Sequence, residues 1–325
     1  MPAPYVIDRE SNAMPAPTGA ESGLIPVAYS RDIIESAVAQ SMVLSTFRRI
    51  TMPTGVQNLP VLDVLPVAKW VTGEVSSATP DEGVKPATEQ RWKGLVLTAE
   101  EIAAIVVIPE AVLEDAAINL WNEVTPRLGE AIGLALDLAA FLGTNKPSSW
   151  PTAIIPASVA AGNVAVAAAG DMDGYDAAFA EVEEDGYMVK QVYAGIGEMS
   201  GFRGWSAAGV PIYVSSLKND SFVDSIYGRP VKYDEFNALG TTRAVVGDPS
   251  MALLGVRTDI QYKFLYESSI DISAAQDGSA MVNLAQQDSV GLRVRARFAF
   301  QVANPVNHRN PNAATRYPFA VINPA

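Results

Sequence analysis

The chain has 325 residues and 34.5 kDa, 49% of them hydrophobic and 18% charged, with a formal net charge of −13. That size supports a sizeable core and two domains, and the acidic balance argues against a dedicated nucleic-acid binder, which needs a basic surface to displace counterions. No cysteine and a single histidine, His308, are present; this removes disulfides, thiolate metal sites and cysteine nucleophiles, and speaks against a histidine zinc site or a Ser-His-Asp triad.

No apolar run reaches the roughly 18 residues that span a bilayer, and no basic start followed by an apolar signal region is present, so no membrane partner is expected. Residues 1–23 are rich in Pro, Ala, Gly and Ser, with MPAP at Met1 and again at Met14. They read as an extended arm, and the residues ahead of Met14 read equally as native or as added sequence. Ser30 can cap a short helix, SRDIIESAVAQSMVL, with Ile33, Ile34, Ala37 and Val38 on its apolar side. From Gly55 to Ile108 the pattern turns to β: VQNLPVLDVLPVAKWV alternates around Pro60 and Pro66, TGEVSSATPDEGVKPATEQ is polar turn material, and RWKGLVLTAEEIAAIVVI returns as strand. Two long strands with a polar tip make a projecting hairpin. Such a hairpin is marginal alone and fits a place across a neighbour.

Pro109 to Gly143 carries the longest helical pattern, with Leu113, Ala117, Leu120, Val124, Leu128, Ala131, Ala135, Leu138 and Leu142 as its apolar stripe. Pro109 suits the first helical position and Gly143 the left-handed residue past the end. At about 1.5 Å per residue the run spans roughly 50 Å. Pro126 predicts a bend or two helices in series, and Asp137 interrupts the most apolar stretch. Beyond it lie a Pro-rich connection (145–158), a helix over 173–184, and a further helix in VKQVYAGIGEMSGF. Short strands follow in GVPIYVSS and YGRPVKYDEF. Next come a strand–turn–strand across Gly247-Asp248-Pro249, an alternating strand in QDSVGLRVRARFAFQVANP, and a last strand in YPFAVINPA. In the alternating strand Leu292, Val294, Ala296 and Phe298 face one way and Arg293, Arg295 and Arg297 the other.

These residues leave few candidates for chemistry. The arginines at 293, 295 and 297 fit a solvated sheet face, ion pairs within or between subunits, or a phosphate grip. The acidic runs Glu100-Glu101, Glu114-Asp115 and 181–185 read as helix-dipole partners and solvated faces. Glycines 195, 197, 201 and 204 lack the strand, Lys-Ser/Thr and helix context of a phosphate loop and read as a surface loop. His308 is a loop residue. No catalytic, cofactor-binding or metal residues are assigned.

Taken in order, the elements resemble the major capsid protein of tailed bacteriophages, of the Hong Kong 97 type. The residues that carry the likeness are the helix start IPEAVLEDAA and helix end DLAAFLGTNKP, YGRPVKYDEF, VVGDPSMALLGVRTDI and VGLRVRARFAFQVANP, over residues 24–325. The resemblance implies an α+β fold with an N-terminal arm (1–23), a short helix and lead-in (24–54) and an extended hairpin loop (55–98). It further implies a peripheral domain with a spine helix (99–144 and 251–300) and an axial domain (145–250 and 301–325). It implies a structural protein, with no enzymatic activity and no cofactor. Such a protein assembles with itself as pentamers and hexamers into an icosahedral head, in the host cytoplasm, with scaffolding, portal and decoration proteins as partners and double-stranded DNA enclosed non-specifically. The short stretch ahead of residue 24 leads to the expectation of a separately encoded scaffold. Lys85, Arg293, Arg295 and Arg297 are the expected inter-subunit contacts. Some relatives join a hairpin Lys to an axial Asn; Lys85 with Asn304, Asn307 or Asn310 would be the counterparts, although nothing in the residues supports that bond. An encapsulin-like compartment and an enzyme of unknown type are the alternatives.

Overall fold

The computed structural model describes residues 41–68, 70–71, 85, 87–115, 120–168, 171–203, 206–207, 210–211, 225–273 and 278–324. The arm, most of the helix expected from Ser30 and the hairpin tip lie outside these residues. The chain divides into two units. One comprises Met1–Ser45, Ala99–Asp137 and Val256–Phe298; the other comprises Thr46–Thr98, Leu138–Gly255 and Ala299–Ala325.

In the first unit, β4 (Glu100–Pro109) pairs antiparallel with β15 (Ser289–Val302), from Glu100 opposite Phe298 to Pro109 opposite Ser289. On its other side β15 neighbours β12 (Ala252–Leu265). Pro109 ends this strand, and the helix expected to begin there begins at Glu110 instead, as α2 (Glu110–Asp115). A proline can close a strand as readily as open a helix, because neither position needs its missing amide hydrogen. The long helix is α3 (Leu120–Phe141), and it runs without interruption through Pro126, so no second helix starts there.

Its buried stripe departs from the expected one. Val124, Leu128, Ile132 and Leu136 are buried, whereas Ala131 and Ala135 are exposed. The larger side chains take the core because each removes more apolar area from water. Near the start of α3, Trp121 meets Phe264 of β12 edge-on, with ring centroids 5.0 Å apart.

Asp137, the residue that breaks the apolar pattern, is fully buried. Its carboxylate accepts from the Ser41 hydroxyl at 2.7 Å and from the backbone N–H groups of Met42 and Val43 at 2.9 and 3.0 Å. These are orphan donors at the start of α1 (Met42–Thr46), so a residue 95 positions away supplies the cap. The described helix thus sits at the far end of the segment expected from Ser30.

The second unit is built on a six-stranded sheet in the order β5-β16-β11-β6-β10-β9. These strands are Val164–Ala167, Phe319–Pro324, Ala244–Gly247, Gln191–Gly195, Arg229–Asp234 and Ser225–Ile226. β6 with β10 and β5 with β16 are parallel, while β11 is antiparallel to both its neighbours. Alternation fills both faces. Val192, Ala194, Ala244, Val246, Ala320 and Ile322 pack with Tyr175, Ala178, Phe179 and Val182 of α5 (Met172–Glu184). On the opposite side, Tyr193 meets Phe47 and Phe141, and Phe300 stacks on Phe47.

Asp171 caps α5, accepting from the Asp173 N–H. A side chain at Gly174 would sit 2.1 Å from the Ala167 Cβ, so glycine permits this close approach of helix and strand. Gly143 adopts φ +82° just past α3, and its N–H and that of Thr144 bond the Leu138 carbonyl, as the expected left-handed stop requires.

Two expectations are corrected here. The connection 145–158 holds the start of α4 (Ile154–Ala161), where Pro156 lies in the first turn, a position that tolerates it. The glycine-rich stretch from 195 is the end of β6 followed by α6 (Glu198–Arg203), not a surface loop, because Phe202 is fully buried edge-on against Tyr175.

The remaining pairs are two-stranded. β2 (Val56–Val64) and β3 (Arg91–Thr98) form the hairpin, with Pro60 inside β2 opposite Gly94. β3 ends at Thr98 and β4 joins a different sheet, so the expected single return strand is two.

Candidate assembly interface

Two surfaces stand out, one in each unit. In the first unit, the alternation of β15 buries Leu292, Val294, Ala296 and Phe298 and leaves Arg293, Arg295 and Arg297 half-buried on the opposite face. Across the ladder these arginines stand opposite Ile105, Ala103 and Glu101 of β4. The guanidinium of Arg295 donates twice to Gln261 Oε1, at 3.3 and 3.1 Å. Two residues along β12, Lys263 is exposed. The Nε atoms of Arg293 and Arg297 are buried and have no acceptor among the described residues. Among those residues, no carboxylate forms an ion pair with any of the three arginines.

In the second unit, the hairpin turns apolar residues outward. Trp92 is 59% exposed, Val56 56% and Val96 49%, and beyond β2 Trp70 is 98% exposed. Trp92 pairs with Leu62, Gly94 with Pro60 and Val96 with Asn58, so these residues lie along one side of a two-stranded sheet. The opposite side is partly covered, with Leu97 fully buried. Bonds from the Val306 N–H to the Leu62 carbonyl and from Gln301 Nε2 to the Val96 carbonyl tie both strands of the hairpin to the segment 301–306. Lys85 is exposed.

The polar centres of the second unit are structural. Asp185, expected on a solvated face, is 5% exposed and accepts from Asn163 Nδ2 (2.8 Å), the Tyr317 N–H (2.8 Å) and Asn310 Nδ2 (2.7 Å). Arg316 is 2% exposed, and its guanidinium donates to Asn304 Oδ1 and to the carbonyls of Asn310 and Asn304. Together they pin the irregular segment 303–317. Burial raises the Tyr187 phenol beside them, an effect the Arg316 charge opposes. The run of asparagines at 304, 307, 310 and 312 was the available signal, since Asx side chains organise turns.

Asn304 and Asn307 also donate their amides internally, to the Arg316 and Asp185 carbonyls. The three asparagines considered for a cross-link to Lys85 are therefore engaged within the subunit. His308 is exposed in the same segment. A polar recess of about 380 Å³ beside Asp185 and one of about 390 Å³ beside Glu198 and Arg243 are open to solvent. In the second, Glu198 pairs with Arg243 at 2.8 Å, and burial followed by the Glu198 charge pushes the Tyr175 phenol well up. Among the described residues no three His, Asp or Glu side chains are placed to hold a metal ion.

The fold and sequence have clear relatives. The phage capsid family model matches residues 21–307. A solved structure from Microbacterium phage Oxtober96 is 33% identical, with 98% of this chain and 99% of that chain covered and a TM-score of 0.76. One from Mycobacterium phage Bobi is 32% identical with the same coverage and a TM-score of 0.74. A solved structure described as the capsid of a native GTA particle, 15% identical over 96% of this chain and 95% of that one with a TM-score of 0.60, shares the fold. None of the curated proteins matches. The chain belongs to the phage capsid family and has the Hong Kong 97-type α+β fold. It is a structural, self-associating protein of the phage capsid, and the encapsulin alternative is not favoured.

Proposed function

We propose that this chain is the repeating tile of an icosahedral phage head, arranged as pentamers and hexamers and enclosing double-stranded DNA. The observation that carries this reading is the family match across residues 21–307, joined to a hairpin whose apolar side is uncovered in the single subunit. In this reading residues 55–98 lie over the adjacent subunit, 99–144 with 251–300 form the peripheral domain, and 145–250 with 301–325 form the axial domain. The work is mechanical and involves no catalysis.

Burial contributes about 25 cal/mol per Å² of apolar area, and a hairpin that lies across a neighbour adds contact area that a compact subunit lacks. Tryptophans are frequent anchors of such contacts. A subunit of net charge −13 repels the genome as a whole, so DNA is held by confinement and not by sequence. Scaffolding, portal and decoration proteins are the further partners, and assembly takes place in the host cytoplasm.

The test is electron microscopy of particles made by co-expressing the chain with the other head proteins of its phage. Closed icosahedral shells made mainly of this chain, containing DNA after packaging, are expected. Particles in which this chain is a minor component would overturn the reading.

A further inference from the structure

We propose that the uncharged flank formed by α4 and β5 receives the Tyr227–Gly228 turn of a second copy of this chain. That contact deepens the shell reading and rests on it. Residues 147–170 contain no charged side chain, although 18% of the chain is charged. Burial does not account for the gap. α4 turns Ile154, Ile155 and Ser158 inward, yet Pro156, Val159 and Ala160 are exposed, Val159 by 48%. On β5, Ala165 and Ala167 are buried and Val166 is 63% exposed.

β5 is also an end strand of the six-stranded sheet, paired with β16 on one side only among the described residues. Native sheets guard such an edge with charge, proline or a covering element. The Val-Ala-Val-Ala of β5 has neither charge nor proline, so the edge and its apolar surround suit contact with another chain. Neutrality selects the partner. Copies of net charge −13 repel one another, and a flank without carboxylates is where they approach at least cost. A polyanion finds no basic residue there to hold it.

The far edge of the same sheet supplies the occupant. Ile226 of β9 pairs with Arg229 of β10, so Tyr227 and Gly228 form a two-residue turn, with φ +49° and +73°. Such turns favour Asn-Gly, and a bulky residue at positive φ is rare. The other non-glycine residues at positive φ among those described are Asn145, Asn237 and Asp288, types that adopt it readily. The Tyr227 ring rests edge-on against Phe179, with centroids 5.4 Å apart, yet the residue remains 50% exposed. Backbone strain retained at an exposed aromatic points to a working position, and tyrosine is a frequent anchor of protein contacts. Five strand spacings of about 4.8 Å put the turn roughly 24 Å from β5 of its own chain, so only another copy brings the two together. A contact between two different patches repeats head to tail, which closes copies into a ring.

In the test, a photo-reactive phenylalanine analogue replaces Tyr227 in co-expressed particles, and linked peptides are identified by mass spectrometry. Links from position 227 to residues 154–168 are expected, and on a denaturing gel they should run beyond the dimer. Links elsewhere, or none, in particles that still close overturn this contact and leave the shell reading standing; no links and no shells overturn both. Val166→Cys, in a chain that has no cysteine, reads self-pairing of β5. Disulfide-linked dimers from that variant alone would show a two-fold contact and overturn the head-to-tail one. The second arm uses Val166→Asp and Tyr227→Asn. Both positions are exposed and Asn suits a left-handed turn, so unfolding midpoints should stay close to that of the unmodified subunit. Shell yield should fall about tenfold or more with each, because a buried charge or a lost anchor recurs at every copy. Undiminished yield from either variant would overturn the proposal.

Discussion

The six-stranded sheet and the β2–β3 hairpin are both β-structure in the same unit, and they are finished to different degrees. The sheet covers both faces from within its own chain. α5 and Phe202 lie on one side, with Phe47, Phe141 and Phe300 beside Tyr193 on the other. The hairpin has two strands, one partly covered side, and a side on which Trp92 and Val96 meet solvent. The sheet therefore serves the stability of the subunit. In the proposed reading, the apolar area that the hairpin leaves exposed is the part kept for contact between subunits.

That comparison is broken most severely in the sheet. Tyr193→Ala removes a fully buried aromatic in contact with two rings, and about 3–5 kcal/mol of subunit stability should be lost. Denaturant unfolding of the unassembled subunit reads this directly. Asp137→Ala comes next, because it leaves the Ser41 hydroxyl proton and two backbone N–H groups without their acceptor in the core of the first unit. A loss on the order of 2–3 kcal/mol is expected by the same assay, with Asp137→Asn milder because it keeps one acceptor oxygen.

Trp92→Ala should change subunit stability by less than about 0.5 kcal/mol, as exposed positions usually do. Shell assembly should still weaken markedly, read as particle yield by sedimentation. A variant that unfolds the subunit, or one that assembles normally, would erase the contrast between the two regions.

The smallest expected effect concerns Glu181, whose pKa is raised by partial burial and then by the charges of Glu184 and Asp185. A carboxyl raised in the folded state favours folding fully when protonated, and that contribution is lost as pH rises through its folded pKa. Glu181→Gln should thus raise the melting temperature slightly at pH 7 and leave it unchanged near pH 3. An equal shift at both values would contradict the charge argument.

Much of the fold was legible because it repeats simple periods. The alternation of β15 appears in its burial as read, the strand–turn–strand around Asp248 is present, and Gly143 ends α3 in the left-handed region. What escaped the sequence depends on partners distant along the chain. Asp137 looked like a flaw in an apolar helix until Ser41 was placed beside it, and Asp185 looked solvated until Asn163, Asn310 and Tyr317 closed over it. The stripe of α3 slipped by one position because Ala and Ile are alike to a periodic pattern but unequal in the area they bury. For the candidate interface, the arginine ladder was readable as a face, whereas the missing acceptors of the Arg293 and Arg297 Nε atoms among the described residues depend on how neighbouring strands pack around them.

The most direct measurement of the central claim is amide hydrogen exchange on the unassembled subunit and on the mature particle. Amides of β2 and β3 should exchange quickly in the free subunit and become strongly protected on assembly, while β6, β11 and β16 are protected equally in both. Unchanged exchange in the hairpin between the two states would contradict the account.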